Sequence, residues 1–283
     1  MPTRGYSSYL VKSLNALSSQ TTLPNEVIIV SAKKINSKFI YKKKLNIKIV
    51  YSKKANQVVQ RNIGLRNLSK KANIILQLDD RIVLYKDCIN ELFYSWKIAK
   101  KNVVGIGINI INKNKSFGLL NQISNTIGIN GKIPFIGLNI DNINLKNDQE
   151  VSWLNGGLSS WNLKKNLRIY DRKFPEWTWC VFEDVDYSLG KIKKDKLFIC
   201  SKAKANILES RKLNFNDNFK RGVLNTLAIK MLISKYSNNP FFVYLANFFL
   251  IFFSILKSII SLDLLNFYFS LGRLFGFCKK NIN

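Results

Sequence analysis

Two groups of neighbouring carboxylates are the residues of this chain whose type and spacing can do chemistry. The first is the pair Asp79 and Asp80, which follows the apolar run Ile74–Leu78, and the second is the E-D-V-D segment at residues 183–186. Carboxylate oxygens suit Mg²⁺ or Mn²⁺, and a carboxylate beside a hydroxyl can take its proton as a general base. Each group also has a simpler interpretation: an acidic turn after a strand, or acidic capping of a helix.

Histidine is absent from the 283 residues. This absence excludes histidine-based triads, histidine zinc sites and a histidine general base. Acid–base chemistry must therefore come from carboxylates, lysine, tyrosine or cysteine. The cysteines show no C-x-x-C spacing, and we expect reduced thiols that mostly serve packing: Cys88, Cys180, Cys200 and Cys278.

The charge balance indicates a polyanionic partner. There are 45 Lys and Arg residues against 17 Asp and Glu residues, a formal net charge of +28. Nucleic acid, anionic lipid and phosphorylated substrates all fit such an excess. The basic residues are scattered, without the interleaved aromatics that stack on bases. We therefore expect lipid and phosphate as partners and no nucleic acid.

The N-terminus has no apolar segment typical of a signal peptide, and we expect no signal peptide.

The hydrophobic pattern predicts alternating helices and strands that place the acidic groups. Leu10, Leu14 and Leu17 have helical spacing, with Ser7 or Ser8 as the cap. Strands are predicted at 26–30, 45–50, 74–78, 103–111 and 197–200, and helices at 55–68 and 86–99. Ligands of open α/β sheets bind at the carboxyl ends of strands. Asp79 and Asp80 follow such a strand end.

Several short motifs stand in the order found in family 2 glycosyltransferases with a GT-A fold, which this chain resembles over roughly residues 2–210. They are P-T-R-G at 2–5, Q-T at 20–21, Q-R-N-x-G at 60–64, D-D at 79–80, G-G at 156–157 and E-D-x-D at 183–186. The resemblance implies a Rossmann-like mixed α/β sheet with flanking helices, forming a catalytic domain over residues 1–215. It also implies sugar transfer, with inversion, from a nucleotide-diphospho-sugar donor to a hydroxyl of a glycan or lipid-linked acceptor, as in cell-surface polysaccharide, lipopolysaccharide or glycolipid synthesis.

The same resemblance implies roles for individual residues. Donor binding is implied for Pro2, Thr3, Arg4, Arg61, Asn62, Asp79, Asp80 and Arg81. Asp80 is the implied ligand of a Mg²⁺ or Mn²⁺ ion that neutralises the leaving diphosphate. Glu183 and Asp184 are the catalytic candidates, with Asp184 as the general base. Trp153, Gly156 and Gly157 are expected to line the acceptor and sugar pocket. For Arg61 a solvated helix face, and for Trp153 a place in the core, are the alternatives.

Four departures from the family pattern stand beside these expectations. The first strand should precede Pro2, so we expect it to be missing. Ser31 stands where an aspartate helps to hold the nucleotide base. Arg81 replaces a third acid, which leaves open a fixed cation that partly substitutes for the metal at the diphosphate. Glu209 stands near the position of a family histidine. The positive charge suggests a rival hypothesis, a non-catalytic basic protein that binds membrane surfaces or nucleic acid. The missing strand, Ser31 and Arg81 suggest its variant, a catalytically decayed glycosyltransferase.

Residues 216–283 are predicted to form a helical, hydrophobic and basic membrane-associated region. No charged residue occurs between Lys235 and Lys257, and this run is just long enough to span a bilayer. A second apolar segment, 262–278, is interrupted by Asp263 and Arg273. A span, an in-plane helix pair on anionic lipid and a buried helix are the alternatives. We favour peripheral or hairpin association at the cytoplasmic face of the inner (plasma) membrane. Residues 112–150 are expected to be a loop that faces the acceptor.

Overall fold

The structure is a computed structural model of the chain. It describes residues 1–36, 44–112, 128–129, 133–134, 144–165, 181–190, 195–208 and 213–279. The chain divides into two compact units, one of residues 1–114 and 142–209 and the other of residues 115–141 and 210–283. The predicted division at residue 215 stays a prediction.

The described strands form a parallel sheet, a mixed sheet and a small antiparallel pair. They are β1 (Pro2–Thr3), β2 (Val27–Ser31), β3 (Ile47–Tyr51), β4 (Ile74–Leu78), β5 (Ile82–Leu84), β6 (Val103–Ile110), β7 (Gly128–Ile129), β8 (Ile133–Pro134), β9 (Gln149–Val151), β10 (Leu158–Asn162) and β11 (Lys196–Ile207). The parallel sheet has the order β1-β2-β3. The mixed sheet has the order β4-β10-β6-β11-β5, with β9 on β11. Among its described strands, β6 and β11 pair in parallel and the other pairs are antiparallel.

The helices are α1 (Ser8–Ser18), α2 (Gln57–Arg66), α3 (Cys88–Ile98), α4 (Glu183–Leu189), α5 (Phe215–Tyr236), α6 (Pro240–Ile260) and α7 (Leu264–Cys278). Local signals set several of their starts. Ser7, one of the two serines predicted as the cap, caps α1 by accepting a hydrogen bond from Leu10 N at 3.1 Å. Asn56 caps α2 in the same way through Val59 N at 3.0 Å.

The core of the first unit lies around the mixed sheet. All eight residues of β6 are buried, which explains its continuous apolar sequence. Leu10 and Leu14 of α1 are fully buried in the same cluster. Cys88 and Cys200 are buried free thiols, whereas Cys278 of the second unit is exposed.

The predicted elements that fall on described residues are confirmed with two differences. Pro2–Thr3 is itself a strand that pairs in parallel with β2, so the expected lack of a first strand is not confirmed. The strand predicted at 197–200 extends to Ile207, because exposed Lys202 and Lys204 alternate with buried alanines on a strand period. Most of 112–150, together with Glu209 and Cys180, lies outside the described residues, so those expectations stay predictions.

The second unit contains a bundle of three helices. Contacts between α5 and α7 run in the same order along both helices, from Phe215 against Tyr268 to Thr226 against Arg273, so these helices are parallel. In α6 the order is reversed, with Asn247 against Arg273 and Ser254 against Ser270. Among the described residues, α6 is the one helix long and apolar enough to cross a bilayer by length and composition. This apolar helix is consistent with a membrane-associated tail.

Candidate functional site

Strand pairing brings the acidic pair and the two glycines together at one end of β4. Leu158 of β10 pairs with Leu78 of β4 in antiparallel register. One step beyond this pair, Asp79 N donates a hydrogen bond to Gly157 O at 3.1 Å. Ile82 N donates to Asp79 O at 3.2 Å, so the acidic pair lies in a tight turn between β4 and β5. The prediction that both acids lie at a strand end is therefore confirmed.

Thr3 links the first sheet to this acidic pair. Its Oγ1 donates a hydrogen bond to Asp80 Oδ2 at 2.7 Å. Burial raises the pKa of Asp80, and the charge of Asp79 raises it further, while the Thr3 hydroxyl and Arg81 oppose the shift. Asp80 is half-buried.

Helix α2 carries a buried arginine that joins the two acidic groups. Arg61 Nη2 lies 3.0 Å from Asp79 Oδ1, and Arg61 Nη1 lies 2.9 Å from Glu183 Oε1. The arginine side chain is only 3% exposed. The sequence suggested a phosphate contact or a solvated face for Arg61, whereas the structure places its guanidinium between two carboxylates.

Two glutamines of α2 support this arrangement. Gln60 Nε2 donates to Thr3 O at 2.6 Å and to Val30 O at 2.8 Å, which ties the helix to the ends of β1 and β2. Gln57 Nε2 donates to both carboxylate oxygens of Asp79, at 2.9 and 3.0 Å. No role was predicted for Gln57 from the sequence. Its position four residues before Arg61, on the same face of a predicted helix, is the signal that could have found it.

The second acidic group begins α4, as predicted. Glu183 and Asp184 are its first residues, and Phe182 before them has a φ of 63°, a left-handed conformation that is costly for a bulky residue. Asp184 Oδ2 accepts a hydrogen bond from Gly156 N at 3.1 Å, and Oδ1 accepts one from Val185 N at 2.9 Å. These contacts fix the Asp184 carboxylate beside the glycine pair.

Burial governs the protonation of both acids. It raises the pKa of Glu183 to about 7, assisted by the negative charge of Asp184 and opposed by Arg61. Burial also raises the pKa of Asp184, while the Gly156 N–H and Arg61 oppose the shift. Glu183 is buried and Asp184 is half-buried, so Asp184 is the more accessible of the two carboxylates.

The remaining predicted site residues differ in exposure. Pro2 and Asn62 are buried, Arg4 is exposed, and Arg81 is half-buried in the turn beside Asp80. Ser31 uses its hydroxyl in its own turn, donating to Lys33 O at 2.6 Å. Trp153 is 8% exposed and therefore has little surface for stacking on a sugar. The donor and acceptor roles of these residues stay predictions.

Close approach explains why glycines occupy positions 156 and 157. A Cβ on Gly157 would lie 2.3 Å from Asp79 Cγ, and one on Gly156 would lie 2.6 Å from Arg61 Nη1.

We expect Gly157→Ala to displace the Asp79 carboxylate, lowering the free energy of unfolding by about 1–3 kcal/mol and reducing any activity of the site. Gly64→Ala is the matched control, because its Cβ would make an ordinary 3.5 Å contact with Val30. Chemical denaturation of both variants measures the difference, and equal stabilities would contradict this account.

The described carboxylates offer few ligands for a divalent cation. Within the part of the chain that the structure describes, no group of three or more Cys, Asp or Glu side chains could hold a metal ion. Asp79 is already bound by Arg61 and Gln57. This leaves Asp80 as a single carboxylate ligand. Mg²⁺ commonly binds through one or two carboxylates together with substrate phosphates and water, so the residues fit a cation that is shared with a diphosphate.

Comparison with known proteins supports the fold. No protein-family model and no curated protein sequence matches the chain. The solved structures that match include TarS 1–349 from S. aureus in complex with UDP-GlcNAc, at 14% identity and a TM-score of 0.54, covering 87% of this chain and 68% of that one. They also include the mannosyltransferase PcManGT from Pyrobaculum calidifontis in complex with GDP-Man and Mn²⁺, at 11% identity and a TM-score of 0.58, covering 99% and 85%.

These similarities define the class of fold. The chain has the mixed α/β architecture of GT-A glycosyltransferases, as the sequence resemblance implied. It spans 41% of the length of the longer TarS chain that it also matches.

Proposed function

We propose that this protein is a glycosyltransferase that moves a sugar from a nucleotide-diphospho-sugar donor to an acceptor hydroxyl. One observation carries the proposal. A single hydrogen-bonded network joins Thr3, Arg61, the Asp79-Asp80 pair, the glycine pair and the E-D-x-D segment. These segments are distant in the sequence but follow the motif order of the glycosyltransferase resemblance. Two proteins of similar fold support the donor class, since their structures contain UDP-GlcNAc and GDP-Man.

In this proposal Asp184 is the general base. It takes the proton of the acceptor hydroxyl while the acceptor oxygen forms a bond to the anomeric carbon. The bond from that carbon to the diphosphate oxygen breaks, and its electron pair leaves with the diphosphate. A single displacement of this kind inverts the anomeric centre. The N-terminus of α4 and the Gly156 N–H favour the ionised carboxylate, and a raised pKa makes it a stronger base.

Asp80 and Arg81 are the proposed contacts of the leaving diphosphate. A divalent cation bound by Asp80 would neutralise the charge that develops there. Arg81 offers a fixed positive charge one residue away and is the alternative. Donor turnover after complete chelation separates the two. Retained activity favours Arg81, and activity that is lost and then restored by added Mn²⁺ favours the cation.

We further propose a membrane-associated enzyme that acts on a glycan or lipid-linked acceptor at the cytoplasmic face of the inner membrane. The support is the long apolar α6 and the net charge of +28, which favours anionic lipid surfaces. Inclusion in cell-envelope polysaccharide or glycolipid synthesis follows from this acceptor class. No nucleic-acid partner is proposed.

A donor screen tests the function directly. Wild-type protein and Asp80→Ala are compared for transfer or hydrolysis of a panel of nucleotide-diphospho-sugars, with Asp87→Asn as the control. Asp87 is an exposed acid at the start of α3 whose side chain makes no capping bond. We expect turnover by wild type and Asp87→Asn and loss in Asp80→Ala. Salt-sensitive nucleic-acid binding with no nucleotide-sugar binding would favour the rival hypothesis instead.

The pKa of Glu183 predicts the pH dependence. Burial raises the pKa of Glu183 from 4.5 to about 7, so Glu183 is protonated below pH 7 and its negative charge beside Asp184 is lost. Without that charge the pKa of Asp184 is lower and Asp184 is a weaker base. We therefore expect kcat/KM to fall below pH 7. The folded state binds this proton more tightly than the unfolded state. The contribution of Glu183 to the free energy of unfolding is therefore complete below pH 4.5, and it decreases as the pH rises to about 7. A pH–rate profile of Glu183→Gln should show an acid limb at lower pH, and an unchanged profile would contradict the assignment.

A further inference from the structure

A buried arginine lies inside the three-helix bundle of the second unit. Arg273 interrupts the apolar sequence of α7 and is 7% exposed. A guanidinium remains protonated in proteins. Its burial therefore costs free energy unless hydrogen bonds and a negative charge compensate it.

The described residues compensate Arg273 only in part. Its Nη2 donates a hydrogen bond to Asn247 Oδ1 of α6 at 3.0 Å, and Asn247 is itself 1% exposed. Arg273 Nε has no hydrogen-bond partner among the described residues. No described carboxylate lies within ion-pair distance of the guanidinium. Asn247 is neutral, so the positive charge has no counter-charge in this part of the chain.

The backbone of Arg273 is held in place by close helix packing. A Cβ on Gly272 would lie 2.0 Å from Phe219 O, and one on Gly222 would lie 2.0 Å from Phe269 O. Thr226 Oγ1 also donates to Arg273 O at 2.9 Å. With α5 and α7 in backbone contact, the guanidinium is directed to Asn247 on α6 and is not a freely rotating surface group.

Further cations and an apolar surface adjoin this position. Lys230 Nζ donates to Phe277 O at 3.1 Å and to Lys279 O at 2.7 Å, at the C-terminal end of α7. At 1.5 Å per residue, Arg273 lies about 9 Å from Lys279 along the helix. The outer face of α6 exposes large apolar side chains, among them Phe248, Phe249, Phe252 and Phe253.

We propose that Arg273, oriented by Asn247, binds the phosphate group of a lipid between α6 and α7. A phosphate offers a negative charge that the described residues do not provide, and it can accept hydrogen bonds from the guanidinium. The exposed apolar face of α6 offers a surface for the lipid chain, and the lysines at the end of α7 attract the anionic headgroup. This inference rests on the proposed membrane association. A bilayer phospholipid and a lipid-linked acceptor share the required chemistry.

Lipid binding by the full-length protein in detergent micelles tests the site without requiring transfer activity. The probes are phosphatidylglycerol, a long-chain isoprenyl monophosphate, and diacylglycerol, which lacks the phosphate. We expect both phosphate lipids to bind more tightly than diacylglycerol. Arg273→Met should weaken their binding by about tenfold or more, the worth of a charge-assisted hydrogen bond. Arg221→Met is the matched control, because it removes the same charge from an exposed arginine that stacks on Phe269.

Each outcome decides the proposal. Unchanged binding by Arg273→Met, or an equal loss in Arg221→Met, would overturn it. If Arg273→Met does not fold, Asn247→Leu and Arg273→Lys replace it, and wild-type affinity in both would also overturn the site. Equal affinity for the two phosphate lipids would identify the ligand as a bilayer phospholipid. Preference for the isoprenyl phosphate would identify it as the lipid-linked acceptor. Vesicle flotation and donor turnover report the proposed function separately.

Discussion

Replacing Asp184 by asparagine is expected to lower kcat for sugar transfer by about 10²- to 10⁴-fold, the usual contribution of a general base. The amide keeps the shape of the side chain and can still accept a hydrogen bond from Gly156 N, but it cannot take the acceptor proton. Donor binding should change little, because Asp184 acts on the acceptor. Steady-state kinetics and isothermal titration with the nucleotide-sugar separate these two quantities.

The comparison with neighbouring acids makes this result specific. Asp87→Asn should retain full activity. Glu183→Gln should retain more activity than Asp184→Asn, since Glu183 is buried against Arg61 at 2.9 Å and cannot reach an acceptor as readily. A larger loss of activity in Glu183→Gln would instead assign the role of general base to Glu183. Equal activity of wild type and Asp184→Asn would remove Asp184 from the mechanism.

The second large effect is expected at Arg61. Arg61→Met should lower the free energy of unfolding by about 3–5 kcal/mol, because it leaves a buried carboxylate without its partner. Glu183 is only 8% exposed, and Asp79 is 26% exposed, so most of the loss should come from Glu183. Urea denaturation at pH 8, where Glu183 is largely ionised, measures the loss. The loss should be smaller at pH 5, where a carboxyl with a pKa of about 7 is protonated in the folded state.

Two comparisons distinguish this ion-pair network from general loss of charge. Glu183→Gln in the Arg61→Met background should recover part of the lost stability, because it removes the uncompensated charge. Lys196→Met breaks the exposed pair between Lys196 and Glu150, whose side chains are 45% and 52% exposed, and should cost under about 1 kcal/mol. A similar loss in Arg61→Met and Lys196→Met would show that the buried network contributes no more than a surface pair.

Local signals in the sequence predicted much of the architecture. The apolar spacing of Leu10, Leu14 and Leu17, with a cap at Ser7 or Ser8, predicted α1, because capping and periodicity act within a few residues. The apolar run before Asp79 predicted β4 for the same reason. By contrast, the alternating Lys and Ala residues at the end of β11 were missed, because alanine carries little β propensity and only strand pairing makes the alternation visible.

The candidate site was likewise predictable from the sequence only in part. From the sequence alone came the residue types and their order, and the lack of histidine left acid–base chemistry to carboxylates, lysine, tyrosine or cysteine. Only the tertiary structure decided that Arg61 faces two carboxylates, one of them 122 residues away, and that Gln57 holds Asp79. The reason is physical: hydrophobic periodicity is encoded over a few neighbouring residues. The partners of a buried charge are chosen by the pairing of β10 with β4 and by the packing of α2 and α4 around the strand ends.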